Sequence, residues 1–206
     1  MKLPILFSFR RCPYAIRARV ALRVAEQPVE LREVVLRDKP PEFLTASPTA
    51  TVPCMVTDGK SIDESLDIMI WALKRSDPRG WLDMPQVGWE LIERADGPFK
   101  DALDRTKYAT RYPEIDASDQ RAIAAEFLTD LDQQITEWIF GKPTVVDYAI
   151  LPFVRQFAFI DKDWFDSQPW PNLQPWLERF LASTDFTAVM DNYPQWQAGQ
   201  PPIQFP

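Results

Sequence analysis

The chain has 206 residues, 46% hydrophobic and 13% aromatic, with a formal net charge of −7, two cysteines and no histidine. Its length allows one or two domains with a substantial core, and its acidity argues against general nucleic-acid binding. Without histidine there is no Ser–His or Cys–His dyad and no His metal ligand, and two cysteines make neither a zinc site nor a disulfide framework; a reducing compartment is expected.

In chain order, Leu3–Phe7 reads as a buried strand, and Pro13–Ala25 as a helix whose Ile16, Val20 and Val24 recur every four residues. Val29–Val35 alternates as a second strand, and one helical turn is expected near Glu42-Phe43-Leu44. Val52–Val56 is a short strand beginning on a proline, followed by a hairpin turn at Asp58-Gly59 and a paired strand at Ile62. A helix from Leu66 to Lys74 completes a β-α-β-(α)-β-β-α order.

Ser76–Gly80 has linker composition, and no convincing strand follows. Trp89 to about Tyr108 is helical with a kink or break at Gly97-Pro98. Ser118 can cap a helix carrying Ile123, Phe127, Leu131 and Ile135 and ending at Gly141. Thr144 to Asp147 is a capping-box-like start for Tyr148–Ile160, and Leu173–Ala182 and Phe186–Met190 are shorter helices. The Pro/Gln-rich stretch from Asn192 to Pro206 is expected as an ordered or frayed tail along the surface. The expected organisation is an α/β domain over residues 1–77, a linker over 78–86 and an all-helical domain over 87–206. No stretch approaches the ~20 apolar residues of a membrane span, and the N-terminal apolar run is too brief for a signal peptide. A cytoplasmic protein is expected.

Cys12 stands out chemically. Pro13 suits the first helical position, since its missing N–H would be unpaired there. Cys12 is then the N-cap, with unpaired backbone N–H groups and the positive end of the helix dipole at its sulfur. Lys2, Arg10, Arg11, Arg17, Arg19 and Arg23 precede the first acid, Glu26. A thiol in such surroundings can fall from about 8.5 to about 3.5–7.5. A fall of two pH units is about 2.7 kcal/mol in favour of the thiolate. Cys12 reads as a nucleophile; the plainer alternative is a buried cysteine acting as a small hydrophobe.

A β-α-β…β-β-α unit with Cys12-Pro13-Tyr14-Ala15 at its first helix start resembles the thioredoxin/glutaredoxin fold. With a helical second domain, the whole chain resembles a cytosolic glutathione S-transferase of the cysteine type, omega-like and related thiol-transferase members. The resemblance implies an α/β thioredoxin-like domain on a mixed four-stranded sheet plus an all-α domain. It further implies that Val52-Pro53 is the Val–cis-Pro pair whose backbone receives glutathione as an added strand. Glu64-Ser65 matches the acidic-Ser pair: Ser65 would take the γ-glutamyl carboxylate at a helix start and Glu64 its ammonium, with Asp63 able to share that role. Lys39 would meet the glycyl carboxylate, and Tyr14 would flank the thiol or the ligand. Taken singly, each has a plainer reading: strand-edge proline, N-cap, solvated lysine, surface tyrosine.

Glutathione is thus the implied co-substrate, with no metal, a small hydrophobic or disulfide acceptor, a homodimeric state, and neither nucleic acid nor membrane as partner. Ala15 replaces the second cysteine of a dithiol motif, which implies a monothiol route. Two alternatives stay open: a non-catalytic protein-binding scaffold, and a conventional conjugating transferase using Ser8. Cys54 reads as a buried strand residue rather than a resolving thiol, Thr144 and Asp147 as structural. Trp71, Trp81, Trp89, Tyr108 and Trp164 are either acceptor-pocket or core residues.

Overall fold

The structure is a computed structural model, described here for residues 3–206. Its contacts divide the chain into two units, Met1–Gly80 with Ala182–Pro206, and Trp81–Leu181. The C-terminal residues therefore group with the first unit, where the sequence reading places them with the second.

The first unit is built on a sheet. β1 (Ile5–Ser8) is buried from Leu6 onward and pairs in parallel with β2 (Val29–Glu33), Leu6 opposite Leu31. The crossover between them is α1 (Pro13–Val24), whose N-cap is Cys12 and whose first residue is Pro13. Small side chains let α1 be buried on nearly every side, Ala15, Ile16, Ala18, Val20, Ala21 and Leu22 completely. Arg17 and Arg19 are buried with them, so these two of the six cations that precede Glu26 lie in the interior. A short helix, α2 (Pro41–Ala46), packs through Phe43, which meets Phe7 at a ring distance of 5.4 Å. β3 (Cys54–Thr57) runs antiparallel to β1 after a cis Val52–Pro53 bond, and β4 (Lys60–Ile62) pairs back on β3. Asp58 and Gly59 turn that hairpin with φ of 50° and 73°, the sense matching strand twist. α3 (Ser65–Leu73) then packs against α1.

The sheet has five strands, ordered β4-β3-β1-β2-β5, not the four expected. The fifth, β5 (Ile203–Phe205), pairs antiparallel with β2, Val29 opposite Phe205. It carries no periodic signal because it is three residues long and flanked by Pro202 and Pro206, a composition tolerated only at a sheet edge. Trp196 extends the same seam: its N–H donates to the Glu33 carbonyl at 2.9 Å, and its ring lies 4.2 Å from the Arg32 guanidinium. The expected surface tail is an ordered strap.

The second unit is helical: α4 (Val87–Arg94), a π-helical segment Ala95–Phe99 and α5 (Lys100–Lys107) form one interrupted run. The interruption falls at Gly97-Pro98, where proline cannot donate to the helical ladder. α6 (Ala117–Gln134) is capped by Asp116, which accepts from the Ser118 N–H, so Ser118 lies inside the helix it was expected to cap. α6 stops at Gln134, short of Gly141. α7 (Val145–Ala158) is buried almost throughout; α8 (Lys162–Asp166), which has no apolar periodicity to reveal it, and α9 (Leu173–Ala182) follow. A last short helix, α10 (Thr184–Thr187), leads into the strap.

Thr144 and Asp147 form a complete capping box at the start of α7. Asp147 also accepts from the Ile139 N–H at 3.1 Å and the Trp176 indole at 3.1 Å. Trp81 is fully buried and stacks on Tyr148 at 3.9 Å, while Trp164 meets Phe157 and Trp170 edge-on, so these two belong to packed aromatic clusters. No described helix is long and apolar enough to cross a membrane, and no described group of side chains could hold a metal.

Candidate active site

The β1–α1 turn places the thiol. Cys12 sits at the N-cap of α1 in an extended conformation, and its N–H donates back to the Phe9 carbonyl at 3.0 Å. Cys12 is partly buried, and its thiol donates to the Val52 carbonyl oxygen at 3.5 Å. The N-cap and the residue before the cis-proline therefore face each other, although 40 positions separate them. Val52 is nearly buried, and its N–H has no acceptor among the described residues. No acid lies in the first turn of α1.

The β4–α3 turn supplies the neighbouring groups. Glu64 is the N-cap of α3; its carboxylate is exposed and makes no hydrogen bond among the described residues. Ser65 is buried, and its hydroxyl accepts from Arg17 Nε at 2.9 Å, which brings a buried cation to the start of α3. The same guanidinium lies 5.2 Å from the Tyr14 ring. Lys39 donates to the Ala50 carbonyl at 3.0 Å, two residues before Val52.

Asp63, which the resemblance left able to share the role of Glu64, has intrachain partners of its own. Its carboxylate accepts from Ser47 Oγ at 2.6 Å, Thr49 Oγ1 at 2.7 Å and Thr49 N–H at 3.1 Å, latching the loop that leads to Val52. Partial burial works to raise its pKa, but these hydrogen bonds prevail and hold it below the ordinary value. An acid depressed on folding adds stability that is complete above its unfolded pKa and disappears as pH falls through the folded one. Asp63→Asn is expected to cost about 1 kcal/mol at pH 7. Its deficit against the parent should shrink as pH falls below about 4, measured by urea unfolding at both pH values; a constant deficit contradicts the latch.

Cys54 is fully buried, and its thiol is pushed up to about 12, chiefly by burial and then by the Asp63 charge. It is unsuited to act as a thiolate. Ser8 lies in the β1–β2 ladder and is completely buried. Trp71 is held by Arg75, 3.8 Å from its ring, and Tyr108 lies between Lys107 and Arg111.

Sequence reasoning counted Arg19 among the cations near Cys12 but missed its hold on the Arg10 backbone, and missed Glu33 altogether. Arg19 is buried beneath the N-cap turn and donates Nη2 to the Arg10 carbonyl at 2.8 Å; Glu33 ends β2 and accepts from the Arg10 N–H at 2.6 Å. The seven-residue spacing from Cys12 to Arg19 was a readable signal, being two helical turns on one face.

A thioredoxin-like unit with an N-cap cysteine facing a cis-proline loop, followed by a helical unit, defines the class. Family descriptions agree: the glutathione S-transferase N-terminal domain matches residues 6–80, and the glutathione S-transferase C-terminal domain matches residues 91–179. The chain belongs to the glutathione S-transferase superfamily. It is 35% identical over 108 residues to glutathione S-transferase U22 of Arabidopsis thaliana, a match covering 45% of this chain and about half (49%) of that relative. It is 28% identical over 193 residues to pyrimidodiazepine synthase of Drosophila melanogaster, covering 84% of this chain and 75% of that one. Among solved structures, a Pseudomonas fluorescens glutathione transferase family member with two glutathione molecules bound superposes with a TM-score of 0.77 at 20% identity, covering 92% of each chain. Glutathione transferase Omega 3C from Trametes versicolor gives 0.77 at 17%, covering 92% of this chain and 84% of its own.

Proposed function

We propose that the protein is a glutathione-dependent thiol transferase or reductase working through Cys12. The observation that carries this reading is the placement of Cys12 Sγ at the N-cap of α1, 3.5 Å from the Val52 carbonyl. A helix N-terminus favours an anion, which acts toward the thiolate and against the bond that the thiol donates to Val52. Glutathione in an extended conformation adds to the backbone of Val52, whose N–H has no acceptor among the described residues, with its γ-glutamyl carboxylate at Ser65 and Arg17, its ammonium at Glu64 and its glycyl carboxylate near Lys39. Tyr14 flanks the ligand. Glutathione bound in structural relatives supports this reading.

In the reaction, Cys12 thiolate attacks the glutathione sulfur of a glutathionylated acceptor. The old S–S bond breaks, the acceptor leaves as a thiolate and takes a proton, and Cys12 carries glutathione as a mixed disulfide. A second glutathione thiolate then attacks that glutathione sulfur, releasing glutathione disulfide and restoring the Cys12 thiolate. Ala15 offers no second thiol, so the cycle is monothiol. The acceptor is a small hydrophobic or disulfide compound, and the working state is a cytoplasmic homodimer.

Incubation with glutathione disulfide followed by intact-mass measurement should show one glutathione per chain, lost in Cys12→Ala. Absence of the adduct in the parent overturns the reading. Glu64→Gln is expected to raise KM for glutathione about tenfold with kcat nearly unchanged, the pattern for a charge-assisted contact made equally in ground and transition states. A fall in kcat at constant KM contradicts that role.

A further inference from the structure

We propose that Arg19 and Glu33 are positioning residues for Cys12, gripping the two backbone groups of Arg10 so that their opposed charges set how readily the sulfur two residues on ionises. The inference rests on the reading of Cys12 as the nucleophile.

The geometry is specific. Arg19 stands seven positions beyond Cys12, two helical turns on the same face, and helical side chains lean toward the N-terminus. Its guanidinium thus returns to the β1–α1 turn instead of running down the helix. There Nη2 donates to the Arg10 carbonyl at 2.8 Å, while Glu33 Oε1 takes the Arg10 N–H at 2.6 Å. The hydrogen bond from Cys12 N–H to the Phe9 carbonyl closes the turn around that anchored residue. The Arg10 side chain is held in turn, Nη1 donating to the Met190 carbonyl at 3.2 Å.

The two charges do not cancel by contact. Arg19 Nη1 and Glu33 Oε2 are 3.9 Å apart, and neither atom, nor Arg19 Nε, has a hydrogen-bond partner among the described residues. Burying two charges is costly, and a close bidentate pair would offset most of that cost. Here the shorter bonds go to the Arg10 backbone. A buried cation in low dielectric also acts over distance.

The groups facing Arg19 are Glu33 from β2, Arg10 and Cys12 from the turn, and Tyr193 from the strap with Asp191 beside it. Burial drives Arg19 below its ordinary pKa, with the charges of Glu33, Tyr193 and Cys12 opposing and Arg10 adding to the fall. The coupling is reciprocal: a guanidinium supported by the Cys12 thiolate supports that thiolate equally. Burial likewise raises Glu33 against the pull of the Arg10 N–H, Arg19 and Arg10. Glu33 is therefore a brake on the field that Arg19 applies.

The test reads thiolate directly, as the pH midpoint of iodoacetamide alkylation at Cys12 followed by intact mass. Cys54, raised to about 12, stays silent in the working range. Arg19→Met is expected to raise the midpoint by about one pH unit, roughly a tenfold loss of thiolate near neutrality. Arg19→Lys should recover part of that shift. Glu33→Gln keeps an acceptor for the Arg10 N–H and removes the negative charge, so its midpoint should fall, with roughly threefold more thiolate. Shifts of opposite sign are what a merely structural pair would not produce. Equal midpoints, or shifts in one direction, in variants that melt cooperatively overturn the proposal. If Arg19→Met does not fold, Glu33→Gln and Arg19→Lys decide the matter by the same rule. The comparison is variant against parent, so a parent titrating near ~8.5 defeats the thiol-transferase reading separately from this one.

Discussion

Cys12→Ser should lower glutathione-dependent reduction of a mixed disulfide by at least about 10³-fold, and Cys12→Ala should abolish it. Neither variant should lose much stability. Cys12 is only partly buried, and its backbone, not its side chain, makes the turn bond to Phe9. Serine is moreover a preferred N-cap residue, so Cys12→Ser is expected to be unchanged or stabilised by up to about 1 kcal/mol. Loss of turnover with an intact or raised Tm separates a chemical role from a packing role. Rates measured alongside thermal melts provide the check, and a folded Cys12→Ala that retains full activity removes the mechanism.

The largest effect on stability is expected at Asp147. Its carboxylate takes the Thr144 N–H at 2.8 Å, the Thr144 hydroxyl at 3.0 Å, the Ile139 N–H at 3.1 Å and the Trp176 indole at 3.1 Å, all within an interior that leaves it no exposed surface. Burial pushes its carboxyl above the ordinary value, and these four hydrogen bonds pull it back. Asp147→Ala strands every donor at once and is expected to cost about 3–5 kcal/mol. Asp147→Asn should do little better, since its amide nitrogen must face a donor that Oδ1 or Oδ2 now accepts. Urea unfolding followed by tryptophan fluorescence reads the right unit, because Trp81, Trp89, Trp138, Trp164, Trp170 and Trp176 all lie within Trp81–Leu181. A loss below about 1 kcal/mol contradicts the hub role.

Legibility in the sequence followed the range of the interactions. Pro13 fixed the start of α1, and Asp58-Gly59 the hairpin, because each depends only on its neighbours. Thr144 and Asp147 were readable as a local capping box, yet Ile139 and Trp176 as further partners of Asp147 were not. The approach of Cys12 to Val52 came from the family resemblance rather than from periodicity. Arg17 and Arg19 were readable as cations near the Cys12 sulfur, but not as buried ones, because apolar residues every four positions mark only one face of the helix for burial. The alanines of α1 bury the other faces too, and the two guanidinium groups find partners at Ser65 and Arg10. Ser118 was read as the cap where Asp116 serves, because both residue types suit an N-cap and they stand two positions apart. The fifth strand was invisible because its partner lies at the opposite end of the chain.

That last pairing shapes how the molecule can be made. Val29–Glu33 waits with one side bare until the entire helical unit has left the ribosome and Ile203–Phe205 arrives to cover it. During that interval an uncapped edge is a template for another nascent chain. A protease cut or a stop codon after Gly80 would make the exposure permanent, so a fragment ending there inherits a sticky flank that the intact protein conceals.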